Sequence, residues 1–191
     1  VAPGTVMPLS VCLECDPGLA PVSVYGDPMA RTLILLRHGK SAYPHGVADH
    51  ERPLAPRGER EAALAGTWIR TTLPPVDEVR CSTAERTRST LAATGITAPA
   101  HYESGIYGAD AAELIELVRL TGDDVRTLLL VGHVPGMPET ALELAADRTG
   151  AAALALARKF PTSALAVLEF ELPWSGIGPG SGELTRFHVP R

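Results

Sequence analysis

Cysteine and aromatic residues are scarce: the 191-residue chain holds three cysteines, and only 5% of it is aromatic. Three thiols cannot make a paired disulfide framework, so a small stapled scaffold is excluded and a cytoplasmic protein is the simplest expectation. No apolar run is long enough to span a bilayer, and no charged-then-apolar signal segment opens the chain. Basic residues are in the minority: 17 Lys and Arg against 22 Asp and Glu leave a formal net charge of −5. General nucleic-acid binding needs a basic face, so neither nucleic acid nor membrane is expected as a partner. The histidines make no recognisable zinc or iron spacing, and no metal or other cofactor is expected.

Residues 1–28 lack Lys and Arg altogether, yet contain five prolines together with Glu14, Asp16 and Asp27. They differ in composition from the rest of the chain, and Met29-Ala30-Arg31-Thr32 would serve as a natural start. The expectation is an N-terminal extension over 1–28 outside the catalytic core, with 29–191 forming one domain. Cys12-Leu13-Glu14-Cys15 in the extension is a lone C-x-x-C. It lacks the further ligands zinc requires and the helix start of a redox unit, so no function is expected of it.

What is present is an alternation of apolar strand-like runs and helical patterns, in a chain long enough for a substantial core. Thr32–Leu36, Val79–Cys81, Leu128–Val131, Ala164–Phe170 and Glu183–Val189 read as strands. Pro56–Arg70 reads as a helix with Leu64, Thr67 and Trp68 on one face. A second helix runs to Thr94, where Gly95 stops it. Asp110 and Glu113 have capping-box spacing ahead of a third helix, with Leu114, Ile115 and Val118 on its apolar face and Gly122 at its end. Met137, Ala141, Leu144 and Ala145 follow helical spacing. Alternating βα units predict an α/β fold, a three-layer αβα sandwich with a mostly parallel central sheet. The Gly/Pro-rich stretch Pro173–Gly182 predicts an antiparallel return between the last two strands.

The chemistry-bearing residues stand where strands end. Arg37-His38-Gly39 directly follows Leu33-Ile34-Leu35-Leu36 and places a cation and a nitrogen nucleophile at the sheet's carboxyl edge. Arginine's rigid fork of donors matches phosphate oxygens. Cys81-Ser82-Thr83-Ala84-Glu85-Arg86-Thr87 follows the next strand; Ser82 and Glu85 have capping-box spacing, which would put Arg86 in a first helical turn. Val131-Gly132-His133-Val134-Pro135-Gly136 again sets a histidine between strand and helix. Arg52-Pro53-Leu54 and Arg57-Gly58 lie on the approach to the first helix.

In the order and spacing of these segments the chain resembles the histidine phosphatase superfamily, also called phosphoglycerate-mutase-like, and most of all its small phosphohistidine-phosphatase branch. Arg37 through Ser41, Arg52-Pro53-Leu54, Ser82 through Thr87 and Gly132 through Gly136 carry the resemblance. Phe160 through Leu168 also reads like that branch. The resemblance spans residues 29–170 and implies a phosphoglycerate-mutase-like fold. It further implies a covalent phosphohistidine on His38, with Arg37, Arg86 and His133 binding and neutralising the transferred group. Cationic and donor side chains would then stand in for a metal. His38 must be neutral at its attacking nitrogen, so its other nitrogen should donate to a nearby backbone carbonyl.

Lys40, Ser41 and Arg52 are candidates for substrate binding. His45 and His50 are expected to be solvated or to line the pocket mouth, His101 and His188 to have no role, and Cys81 to be a small core residue. Relatives acting on alcohols use a carboxylate after the second helix and the strand that follows it. Here Glu103 is the candidate general acid, Asp110 being committed to its helix cap. A phosphoramidate needs an acid less, which tilts the substrate expectation towards phosphohistidine. The short stretch between Arg86 and His133 leaves no room for the long lid of mutase-type relatives. An open pocket would admit a phosphorylated protein or a small phosphorylated metabolite. The alternatives are a phosphate-binding module without turnover, disfavoured by the two intact histidines, and a mutase, disfavoured by the short lid. The sequence is silent on oligomeric state.

Overall fold

The computed structural model describes residues 30–191; the expectations for residues 1–28, Cys12 and Cys15 lie outside the described residues. Four strands, β1 (Arg31–Arg37), β2 (Glu78–Ser82), β3 (Ala100–Glu103) and β4 (Thr127–Gly132), alternate with α1 (Pro56–Thr72), α2 (Glu85–Thr94) and α3 (Ala111–Arg119). There follow α4 (Gly136–Leu144), α5 (Ala151–Arg158), β5 (Leu165–Phe170) and β6 (Glu183–His188). The sheet order is β3-β2-β4-β1-β5-β6. The first four strands are mutually parallel, whereas β5 runs antiparallel to β1, and β6 antiparallel to β5.

Leu33, Ile34, Leu35 and Leu36 are fully buried. Successive strand residues face opposite layers. Ile34 and Leu36 therefore meet α1 and α2 together with Val79, Cys81, Leu129 and Val131. Leu33 and Leu35 meet the layer of α3, α4 and α5 with Leu128, Leu130 and Leu168. Burying such a side chain stabilises by about 1.5–3 kcal/mol, so this doubly covered run anchors the element that carries Arg37 and His38. The three-layer αβα sandwich is as expected. Among the described residues no helix is long and apolar enough to cross a membrane.

Local signals hold unevenly. Asp110 and Glu113 form the reciprocal capping box, and Gly95 ends α2 in the left-handed region at φ 66°. α1 buries Ala62, Ala65 and Ile69, so its inner face is not Leu64 and Thr67, which are exposed, while Trp68 is half-buried. Small residues win there because α1 packs closely on α2: a Cβ at Gly66 would lie 2.0 Å from the Thr94 carbonyl oxygen. α3 stops at Arg119, ahead of Gly122. The alanine-rich stretch makes α5, in keeping with alanine's helix propensity. The Ser82–Glu85 capping box does not form: Ser82 is the last residue of β2, and Ala84 occupies the cap position.

Candidate active site

Parallel pairing of β1 with β4 sets Arg37 opposite Gly132, so the two strands release His38 and His133 side by side. The amide of His38 donates to the Gly132 carbonyl at 3.0 Å, and the His38 carbonyl accepts from Ser163 N–H at 3.2 Å. The imidazole centroids are 5.1 Å apart, and both residues are buried. His38 Nδ1 lies 2.7 Å from the Gly39 carbonyl oxygen. A carbonyl only accepts, so Nδ1 carries the proton and Nε2 keeps its lone pair. Burial, partly offset by that carbonyl and reinforced by Arg37, Arg86 and Arg52, lowers the pKa of His38 to about 4. The ring is neutral at pH 7, as a nitrogen nucleophile must be.

His133 is held from the other side. Its Nε2 is 2.9 Å from Ser82 Oγ, and its Nδ1 is buried with no hydrogen-bond partner among the described residues. Ser82 Oγ also accepts a long bond from Ala84 N–H at 3.4 Å. In the tautomer in which the Ser82 hydroxyl donates to Nε2, Nδ1–H is a neutral donor. Burial, then His38 and Arg86, lower the His133 pKa to about 3. Fixed positive charge at the cluster is therefore carried by the arginines, with both imidazoles neutral.

Arg37 closes β1. One of its terminal nitrogens donates to the Phe160 carbonyl at 2.6 Å, and its Nε is buried with no hydrogen-bond partner among the described residues. Arg86 lies in the first turn of α2, at the helix's positive end. Thr90 ties α2 to the loop that carries His38 and Gly39: its Oγ1 accepts from Gly39 N–H at 2.9 Å and donates to the Arg86 carbonyl at 2.6 Å. The loop crosses the start of α1 so closely that a Cβ at Gly58 would lie 2.2 Å from the Lys40 carbonyl oxygen, and one at Gly39 2.8 Å from that of Gly58. Arg57-Gly58 thus marks a backbone crossing.

Two residues not expected from the sequence complete the mouth. Asp49 takes both terminal nitrogens of Arg86, one on its carbonyl at 2.6 Å and one on Oδ2 at 3.1 Å. Tyr107 donates its hydroxyl to Asp49 Oδ2 at 2.7 Å and sets its ring edge-on to His133, 5.2 Å between centroids. Tyr107 first, then Arg52 and Arg86, hold the Asp49 carboxyl down at about 2. The i,i+3 spacing of Asp49 and Arg52 is a readable signal. Nothing local announces Tyr107.

Arg52 donates to Asp49 Oδ1 at 2.6 Å, to the Ala42 carbonyl at 3.0 Å and to Ser41 Oγ, and its guanidinium lies 3.5 Å over the Tyr43 ring. Arg52 and Ser41 therefore brace the loop. Lys40 is exposed, with its ammonium 5.5 Å over Tyr43. His50 lies at the mouth, 3.1 Å from Thr83 Oγ1 and edge-on to Tyr107. Cys81 is buried in the core, and that burial raises its thiol to about 12. Glu103 is not brought to the cluster. It lines a groove with Ala112, Leu117 and Leu120, and no hydrogen bond among the described residues links it to His38, His133, Arg37 or Arg86.

Comparison with known proteins points to one family. The profile of the histidine phosphatase superfamily (branch 1) matches residues 33–107. An uncharacterised protein of Mycobacterium tuberculosis is 54% identical over 158 residues, covering 82% of this chain and 100% of the relative. A candidate phosphohistidine phosphatase SixA of Nakamurella multipartitia superposes with a TM-score of 0.79 at 41% identity, over 84% of this chain and 96% of that one. The corresponding candidate SixA of Agrobacterium tumefaciens gives a TM-score of 0.68 at 29% identity, over 84% and 98%.

Proposed function

The chain belongs to the histidine phosphatase superfamily, on its SixA-like branch, and from that premise we propose that it is a metal-independent cytoplasmic phosphatase working through a phosphohistidine on His38. Its substrates are phosphohistidine in proteins or small phosphoesters. The observation that carries this reading is the state of His38: a neutral ring with Nδ1–H pinned to the Gly39 carbonyl, and no hydrogen bond to Nε2 among the described residues.

Phosphoryl transfer is mainly positioning and neutralisation of charge on the equatorial oxygens. Arg37 and Arg86 flank the nucleophile with fixed charge, and the buried Nδ1–H of His133 offers a further donor. In the first step His38 Nε2 bonds to phosphorus while the bond to the leaving atom breaks, its electron pair departing with that atom. In the second, water attacks the phosphohistidine and returns the pair to Nε2. Dividing one displacement into two is the gain of covalent catalysis.

The test is rapid quenching with labelled substrate. Label should reside on His38, lost in acid and retained in base, and His38→Ala should carry none. The variant should also fall below about one hundredth of the wild-type rate, since losing a nucleophile normally costs far more. An acid-stable adduct, or the absence of any adduct together with retained turnover in the variant, refutes the reading.

A further inference from the structure

We propose that Asp49 selects the leaving group: its carboxylate accepts the N–H of a protonated imidazole on the substrate, so the site favours phosphoramidates over phosphate esters. This rests on the phosphatase reading above and assigns a residue to its substrate choice.

Among the described residues, Asp49 is the only carboxylate hydrogen-bonded to a member of the cluster. A negative charge at the mouth of a site that must admit a phosphate dianion opposes binding, unless the substrate brings a cation to meet it. Asp49 is built to stay anionic and stay in place: Arg52 holds Oδ1, while Arg86 and Tyr107 hold Oδ2. Its side chain is nevertheless 54% exposed, so it is accessible from solvent. Oδ1, with one bonded donor, keeps a lone pair for another. Asp49 is joined to Arg86, which would also hold the phosphoryl group. The carboxylate therefore stands two hydrogen-bond lengths, roughly 6 Å, from that group. An imidazole phosphorylated on one nitrogen and protonated on the other spans such a gap.

The chemistry balances without a general acid. His38 Nε2 attacks phosphorus, the P–N bond breaks and its electron pair returns to the substrate ring. That ring departs as neutral imidazole with the proton still on its far nitrogen. Accepting a hydrogen bond from that N–H, Asp49 favours the protonated, reactive form of the ring. An alkyl ester needs a proton for its departing oxygen, and an ionised Asp49 has none to give. The same arrangement accounts for a phosphatase site to which Glu103 does not come.

The experiment compares kcat/KM for phosphoimidazole and for p-nitrophenyl phosphate in the wild type, Asp49→Asn and Asp49→Glu, with thermal melting to confirm folding. The ratio of phosphoimidazole to p-nitrophenyl phosphate activity should fall at least tenfold in Asp49→Asn and recover in Asp49→Glu. An equal loss on both substrates would overturn the proposal and leave Asp49 as a brace for Arg86; so would an unchanged ratio. A wild-type protein that forms no acid-labile, base-stable adduct with either substrate, while His38→Ala retains turnover, would fail the phosphatase reading itself, a result distinguishable from any change of ratio.

Discussion

The hydroxyl of Ser82 lies 2.9 Å from Nε2 of His133, 51 positions away along the chain. The end of β2 thereby fixes the ring that follows β4. The residue that by spacing should cap α2 instead orients a histidine, because β2 extends through Ser82 and the helix begins three residues later.

Ser82→Ala should lower kcat about fivefold, with a smaller effect on KM. One hydrogen bond contributes about 1 kcal/mol, a factor of about five in rate, and its loss here frees the His133 ring to choose its tautomer. Steady-state kinetics on an aryl phosphate, with melting as a control, measure this. A KM effect alone would show that Ser82 only shapes the pocket.

Both site histidines have pKa values below 6.5 in the fold, near 4 for His38 and near 3 for His133. Between those values and 6.5 the unfolded chain binds more protons than the folded one, so stability should be full above pH 6.5 and fall as the pH drops. Melting temperature should decline from pH 7 to 4 more steeply in the wild type than in a His38→Ala, His133→Ala double variant. Ring NMR signals of the two histidines should remain those of neutral imidazole at pH 5.5. A His38 midpoint near 6.5 would contradict the burial argument.

The ends of β1 and β4 are legible in the sequence because each motif there sits directly after a continuous apolar run, and such runs become buried parallel strands wherever the sheet is covered on both faces. Arg37, His38 and His133 can be placed from that alone, whereas β2 is the mixed run Glu78-Val79-Arg80-Cys81-Ser82 and Arg86 is reached through the family resemblance. The mouth is not legible in the same way. Asp49 meets Arg86 and Tyr107 over 37 and 58 positions, and no local periodicity encodes such partners. The α1 face departs from its apolar pattern for a related reason: residue size matters more than apolarity where backbones nearly touch, as at Gly66 and Thr94.

Exhaustive chelation should leave activity unchanged, because Arg37, Arg86 and Arg52 provide fixed positive charge around His38. Incubation with a strong chelator, followed by assay in metal-free buffer, measures it. A strict requirement for added magnesium or zinc would overturn the charge assignment.

A polypeptide spanning residues 29–191 should fold and keep full activity. Five prolines and no basic residue make 1–28 a poor core element. A large drop in melting temperature relative to the full chain would show that the segment packs on the domain.

Glu103→Gln separates the two carboxylates near the site. Glu103 stands opposite Ser82 in the β2–β3 register, so its backbone is only one strand spacing, about 4.8 Å, from the residue that holds His133. Its side chain, however, lines the groove beside Leu117 and Leu120. Loss of a working general acid costs about 100- to 10,000-fold on substrates with basic leaving groups. With Glu103 outside the cluster, turnover of an alkyl phosphate should fall by less than about tenfold, in step with an aryl phosphate. A large loss confined to the alkyl phosphate would make Glu103 the acid after all, requiring its side chain to turn from the groove into the site. Equal large losses on both would give it a positioning role through β2. The distinction follows from charge on the departing atom: only an alkoxide needs a proton as the bond to phosphorus breaks, whereas a nitrophenolate or an already protonated imidazole leaves without one.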